Sequence, residues 1–317
     1  MATRAAPRPP SGRAQPRRQS DSRVSRRFAL LVNPASAGGK AIHALPEVHA
    51  ALDRLGAPHR TVTTRSIEHA GAEAGRAAEQ GETVAALGGD GSLRPLAGAL
   101  KNRDSALAVI PCGRGNDFAR VLGIPKELTA ATRIAVEGEE RLLDVANVNG
   151  APYMGIASLG FDSDANRLAN EAKLVRGNAV YLYAALRALA AWKPAGFTVR
   201  VDGERREIQG YSVAVGNSRA YGGGMLLLPH AELDDGRLDV LLTKQCSKLT
   251  FLRGLPKVFN GTHLDSPYAE TLRGEVVEVS SDRPFVVYAD GDPIGATPAT
   301  MRVERRCLRV IVSRAAG

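Results

Sequence analysis

The chain has 317 residues, long for one core and suited to two domains of ordinary size, and its apolar fraction of 44% is normal for a soluble globular protein. Its best candidate for a membrane span, AVYLYAALRALAAW at 179–192, is shorter than the roughly 18 apolar residues required and contains Arg187, so no spanning helix is expected. The net charge of +9 hints at a nucleic-acid partner until it is located: residues 1–27 carry eight arginines against Asp21, a net +7, which leaves +2 for everything beyond.

That opening stretch holds four prolines and several serines and is expected to be a disordered basic tail. A solvated extension and an attraction to anionic lipid headgroups both fit it. Nucleic acid is not an expected partner. No apolar run suits a secretory signal, and Cys112, Cys246 and Cys307 are odd in number and scattered, so a cytoplasmic protein with reduced thiols is expected.

From Phe28 the pattern alternates between strand and helix. FALLVNP (28–34) reads as a buried strand, and Ile42, Leu45, Val48, Leu52 and Leu55 then recur at helical spacing. HRTVTT is a second strand, IEHAGAEAGRAAEQ a second helix, TVAAL a third strand, and ALAVIP a fourth. Strands alternating with helices predict a parallel sheet covered on both faces, with ligands at the carboxyl ends of its strands. Past about residue 145 the chain is strand-rich: YMGIASLG, FTVRVDG, REIQGYSVAVGN, MLLLP, RLDVLLT, EVVEVSS and PFVVYADG, interrupted by helical stretches near 178–192 and 247–259. The expected fold is therefore α/β over 28–145 and a second, largely antiparallel β-rich domain over 146–299. The final stretch, 300–317 with CLRVIV, is open to either domain.

Three loops leave the carboxyl ends of the parallel strands. In GGDGS (88–92), Gly88, Gly89 and Gly91 let backbone N–H groups approach a phosphate, and Ser92 is an expected cap for the helix that follows. Pro95 falls in the first turn of that helix, where its missing N–H costs little. A tight turn alone does not call for Asp90, whose carboxylate would repel a phosphate unless a divalent cation stood between them. NPASAGGK (33–40) is not a Walker loop, since Pro34 stands where the first glycine belongs and Ala41 follows Lys40; nor is a G-x-G-x-x-G fingerprint present near it. IPCGRGNDFARVLGIP (110–125) adds Gly113, Arg114 and a helix expected to be capped by Asn116 or Asp117. Each loop alone also reads as an ordinary turn; together they converge on one crevice.

NPASAGGK, GGDGS, GRGNDFAR, GFDSDANR, GNSRAYGGGMLLLP, LDDGRLDV and YADGD occur in the order and spacing of bacterial diacylglycerol kinases and related soluble lipid kinases, which the chain resembles over roughly 28–313. GGDG alone is shared with NAD kinases and 6-phosphofructokinases; GRGNDFAR followed by YADGD is narrower, and 216–242 looks especially like the actinobacterial enzymes. The resemblance implies an α/β nucleotide-binding domain resembling those of phosphofructokinase and NAD kinase, a β-rich sandwich-like lipid domain, and ATP with Mg²⁺ between them. It places Asn33, Pro34, Ala35, Ser36, Ala37, Thr64 and Gly89–Ser92 on the nucleotide, beside Gly88, Gly113, Arg114 and Asn116 of the glycine loops. Arg114 and Pro95 replace the threonine and glutamate common in relatives, and Asp292 of YADGD holds the place of the glutamate that acts as general base, one methylene shorter.

The implied reaction is phosphoryl transfer to the hydroxyl of diacylglycerol, with Asp90 and Mg²⁺ at the γ-phosphate and Asp292 taking the proton. The resemblance also implies a second, structural Mg²⁺ held by Asp235 and the carbonyls of Glu232 and Arg237, although Asp234, Asp235 and Gly236 by themselves read as a hairpin turn. Another acceptor (a sphingoid base, ceramide, or NAD, which GRGNDFAR and YADGD disfavour) and a nucleotide-binding regulator without catalysis are the rival readings. Peripheral work on the inner face of a bacterial membrane is expected, and a homodimer is open. His43, His49, His59, His69, His230 and His263 show no ligand spacing, and Trp192 with Tyr181 and Tyr183 reads as core ahead of lipid contact.

Overall fold

A computed structural model describes residues 26–171 and 187–314. The expected tail as far as residue 25, and the 178–186 part of the helical stretch with Tyr181 and Tyr183, lie outside the described residues. Arg26 and Arg27, read above as tail, belong to the folded body. Arg26 Nη1 donates to Val136 O at 2.9 Å and Arg27 Nη2 to Gln80 O at 2.8 Å.

The first half is built from β1 (Phe28–Val32), α1 (Lys40–Arg54), β2 (His59–Thr63), α2 (Ile67–Glu79), β3 (Thr83–Gly88), α3 (Leu93–Leu100) and β4 (Ala106–Pro111). The strands pair in parallel in the order β2-β1-β3-β4. Every residue of β1, β3 and β4 is buried, as a sheet covered by helices on both faces requires, whereas β2 at the edge is partly exposed. Two short helices then follow, α4 (Asp117–Val121) and α5 (Leu128–Glu137), before β5 (Glu139–Val148). Sequence reading missed β5 and α5: β5 opens with four exposed residues, which hide its buried second half.

The second half is antiparallel: β6 (Ala151–Tyr153), β7 (Ile156–Gly160), α6 (Phe161–Glu171), β8 (Ala195–Val201), β9 (Glu204–Gly216), β10 (Leu238–Lys244), α7 (Lys248–Gly254), β11 (Ala269–Gly274), β12 (Val276–Ser281), β13 (Val286–Ala289), β14 (Asp292–Ala296) and β15 (Ala299–Val312). The expected strand MLLLP is absent. Met225 makes only an isolated bridge with Tyr221, and Leu226 N donates to Val258 O, so the segment is a loop whose Leu228 fills a small core with Ile156, Ala214 and Leu241.

Strand β15 joins the two halves. It pairs antiparallel with β12 and β5, and its far end runs parallel to β4 with Arg309 opposite Ala106. One apolar core lies around β1, β3 and β4, and a second inside the β-rich half. Trp192 belongs to the second core: it is buried, edge-on to Phe161 at 5.8 Å and stacked on Tyr211 at 6.2 Å.

Candidate active site

The loops after β3 and β4 touch backbone to backbone. A Cβ on Gly113 would lie 2.5 Å from Gly89 Cα, so position 113 has no room for a side chain, and one on Gly89 would lie 3.2 Å from Gly113 Cα, a tight contact. Ser92 does not cap α3 as expected; its hydroxyl donates back to Gly89 O at 2.6 Å and tightens the loop. Nor does Asn116 cap α4. Its backbone is left-handed (φ 53°), and its side chain closes the β4 loop by accepting from Gly113 N and donating to Gly113 O, both at 2.8 Å.

The group that bonds the start of α4 is Asp90. Its Oδ1 accepts the Phe118 N–H at 3.0 Å, so the carboxylate of one loop organises the next. Asp117 turns away to accept the Gly223 N–H at 2.7 Å, which brings the glycine run 222–224 of the β-rich half against the nucleotide side. Gly223 has φ 91°, a backbone that only glycine adopts readily.

A cleft of about 360 Å³ opens here, lined by Asp90, Asp117 and Asp290, by the cations Arg114, Arg120 and Lys126, and by apolar Met154, Met225 and Phe259. A Cβ on Gly115 would meet Asp90 Oδ2 at 3.1 Å and Asp117 Oδ2 at 3.2 Å, so the two carboxylates face one small space. Asp117 Oδ1 is buried without a hydrogen-bond partner, 3.8 Å from Arg120 Nε. Burial raises the Asp117 carboxyl above its ordinary range, and the Asp90 charge adds to the rise. Asp290, in the turn between β13 and β14, accepts from Met154 N and Gly155 N at 2.8 Å each; burial nevertheless pushes it up to about 6, again with Asp90 contributing.

Asp292 begins β14 in the β-rich half, yet its Oδ2 is 3.3 Å from where a Gly91 Cβ would be. Asp90 and Asp292 thus flank the same glycine loop. Arg94 of α3, largely buried, sends Nη2 to within 4.0 Å of Asp292 Oδ2. On the other side of the loop, Ser36 Oγ is 3.5 Å from the Cβ position of Gly88; Asn33 Oδ1 accepts from Ala35 N at 2.9 Å, and the buried Thr64 donates its backbone N–H to Val32 O at 2.8 Å. Asn33–Ser36, Thr64, Gly88–Ser92, Gly113, Arg114 and Asn116 therefore gather at the carboxyl ends of β1–β4. Asp117, Asp290, Arg94, Arg120 and Lys126 were not expected there. Asp117 and Asp290 lie inside the motifs GRGNDFAR and YADGD, which carried the signal.

Glu232, Asp235 and Arg237 lie elsewhere, in the loop before β10. Asp144 Oδ1 and Oδ2 clamp this loop to β15 by accepting from Arg306 N and Gly236 N, both at 2.6 Å. Asp235 Oδ1 accepts from Arg237 N at 2.9 Å, and its Oδ2 is paired with Arg273. The guanidinium of Arg273 already neutralises the Asp235 charge, so a second cation here would share the carboxylate with it.

An α/β sheet whose glycine loops face acids contributed by a β-rich half is the arrangement expected of a two-lobed kinase. Two family models match the chain: the diacylglycerol kinase catalytic domain over 27–148, and the YegS C-terminal NAD kinase beta sandwich-like domain over 155–312. A diacylglycerol kinase of Mycobacterium tuberculosis is 34% identical over 299 residues, covering 88% of this chain and 95% of that one. A protein of Chromohalobacter salexigens named probable lipid kinase YegS-like is 30% identical over 262 residues, covering 78% and 83%. The crystal structure of a Bacillus anthracis diacylglycerol kinase shares the fold with a TM-score of 0.68 at 19% identity, covering 92% of this chain and 98% of that one. The chain belongs to the diacylglycerol kinase and YegS-like lipid kinase family.

Proposed function

We propose that the protein transfers the γ-phosphate of ATP to the hydroxyl of diacylglycerol, giving phosphatidic acid and ADP at a membrane surface. The reading is carried by the approach of Asp292 to the GGDG loop, which brings a carboxylate of one lobe to the phosphate cradle of the other. A lipid alcohol is a weak nucleophile and needs an acceptor for its proton as the new P–O bond forms. Asp292 takes that proton while the bond from the γ-phosphorus to the β,γ-bridging oxygen breaks. The N–H groups of 88–92 and 113–116, with Arg114 at the mouth, hold the phosphates in line.

Mg²⁺ fits the acidic lining: the Asp90 and Asp117 carboxylates, which face one space beside Gly115, would hold it, and such an ion would supply neutralisation of the triphosphate charge. Asp290 acts as support, fixing the β6–β7 turn through two N–H bonds. The test is labelled ATP with a panel of diacylglycerol, ceramide and sphingoid bases. Phosphatidic acid that disappears in Asp292→Asn supports the reading; product on another alcohol changes the acceptor; nucleotide binding with no product on any acceptor overturns it.

A further inference from the structure

We infer that the segment 247–260, comprising α7 and the turn after it, is the face that docks on an anionic lipid surface. It contains Lys248, Arg253 and Lys257 and no acidic residue. None of its residues is fully buried, and it exposes two large apolar side chains, Leu249 at 56% and Phe259 at 59%. Elsewhere among the described residues, large exposed hydrophobics such as Ile67 and Leu142 stand singly, as they do on any protein.

The segment is firmly seated on one side only. Phe251 stacks on Tyr211 at 4.2 Å and meets Phe161 at 4.8 Å, which fixes α7 against the β-rich core. Leu249 and Arg253, four apart, then share the outward face. At the far end Val258 O accepts from Leu226 N at 2.8 Å, and Phe259 lines the acidic cleft. Cations and exposed apolar groups on one segment, which reaches the cleft at Phe259, complement anionic headgroups over acyl chains. The inference rests on the proposed function, since a lipid acceptor has to pass from bilayer to cleft, and this segment meets the cleft at Phe259.

The experiment is sedimentation of the full-length protein with vesicles of phosphatidylglycerol and phosphatidylcholine, and of phosphatidylcholine alone. The variant L249S/R253Q/K257Q touches no residue of the cleft. It is expected to weaken partitioning to the anionic vesicles by tenfold or more, each lost cation counting for about fivefold. Ile67→Ser, equally exposed on the other lobe, is expected to change nothing. In Leu249→Trp the added emission should shift to the blue on anionic vesicles and be quenched by brominated acyl chains. Unchanged partitioning in the triple variant, an equal loss in Ile67→Ser, or no binding to either vesicle overturns the docking face. Failure of the kinase reading shows separately: wild-type protein would then yield no product even from a short-chain diacylglycerol free in solution.

Discussion

Arg94 Nη2 and Asp292 Oδ2 stand 4.0 Å apart across the junction of the two lobes, one group from the helix behind the GGDG loop and the other from the first residue of β14. The guanidinium is largely buried while the carboxylate is nearly half exposed, so the fixed partner positions the freer one. Asp292→Asn is expected to lower kcat by about 10²–10⁴-fold, the usual worth of a positioned base, with nucleotide affinity unchanged. Arg94→Gln is expected to lower kcat by about tenfold and leave KM for ATP within about twofold, because it relaxes the base without removing it. Steady-state kinetics with calorimetric nucleotide titration check both.

Glycine at 113 is required by the approach of two backbones. Gly113→Ala forces a Cβ to 2.5 Å from Gly89 Cα, so the β3 and β4 loops have to part. The expected result is a loss of about 1–3 kcal/mol in stability, as for other overpacked sites, and a larger relative loss of nucleotide binding. Denaturant melts and calorimetry measure the two effects.

Acidification should stabilise the protein free of ligand over part of the range. Burial holds Asp162, Asp239 and Asp290 up to about 6, whereas an unfolded aspartate titrates near 3.8. The folded state therefore binds more protons between those values. The contribution of these groups is full below about 4 and is lost as pH rises through 6. Thermal melts should gain on the order of 1–3 kcal/mol from pH 7 to 5, and Asp162→Asn should flatten the slope. Binding of Mg²⁺ with ATP should go the opposite way and weaken on acidification, because protonation of Asp117, whose carboxyl burial raises, removes negative charge that would hold the cation.

At Asp235 the cation is expected to be arginine. Chelator should leave the melting temperature of the wild type unchanged, while Arg273→Gln frees Asp235 Oδ2 and creates sensitivity to millimolar Mg²⁺. A wild-type melt that falls when divalent ions are removed would contradict this.

The architecture was readable where burial is uniform or periodic. The runs FALLV, TVAALG and ALAVIP are buried throughout, and their lengths and flanking glycines name them as strands of a covered parallel sheet. MLLLP looked the same but is a loop, because its partners for hydrogen bonding, Arg219 and Val258, are contacts no local pattern encodes. At the site, the glycine loops and Asp90 and Asp292 could be singled out from motif chemistry. Arg94 could not: its role depends on the lobes meeting at β14. The helix caps show the same thing, since Ser92 and Asn116 had local cap chemistry but spend it closing their own loops, leaving Asp90 to bond α4 from 28 residues away.

The fourteen residues of β15 serve both halves at once, with one stretch in the β-rich ladder and the other alongside β4. A hinge made of loose connecting peptide is thereby ruled out at this seam. Any movement of one half against the other would have to twist this shared rod, and would be felt at once at both the phosphate cradle and the carboxylate that faces it.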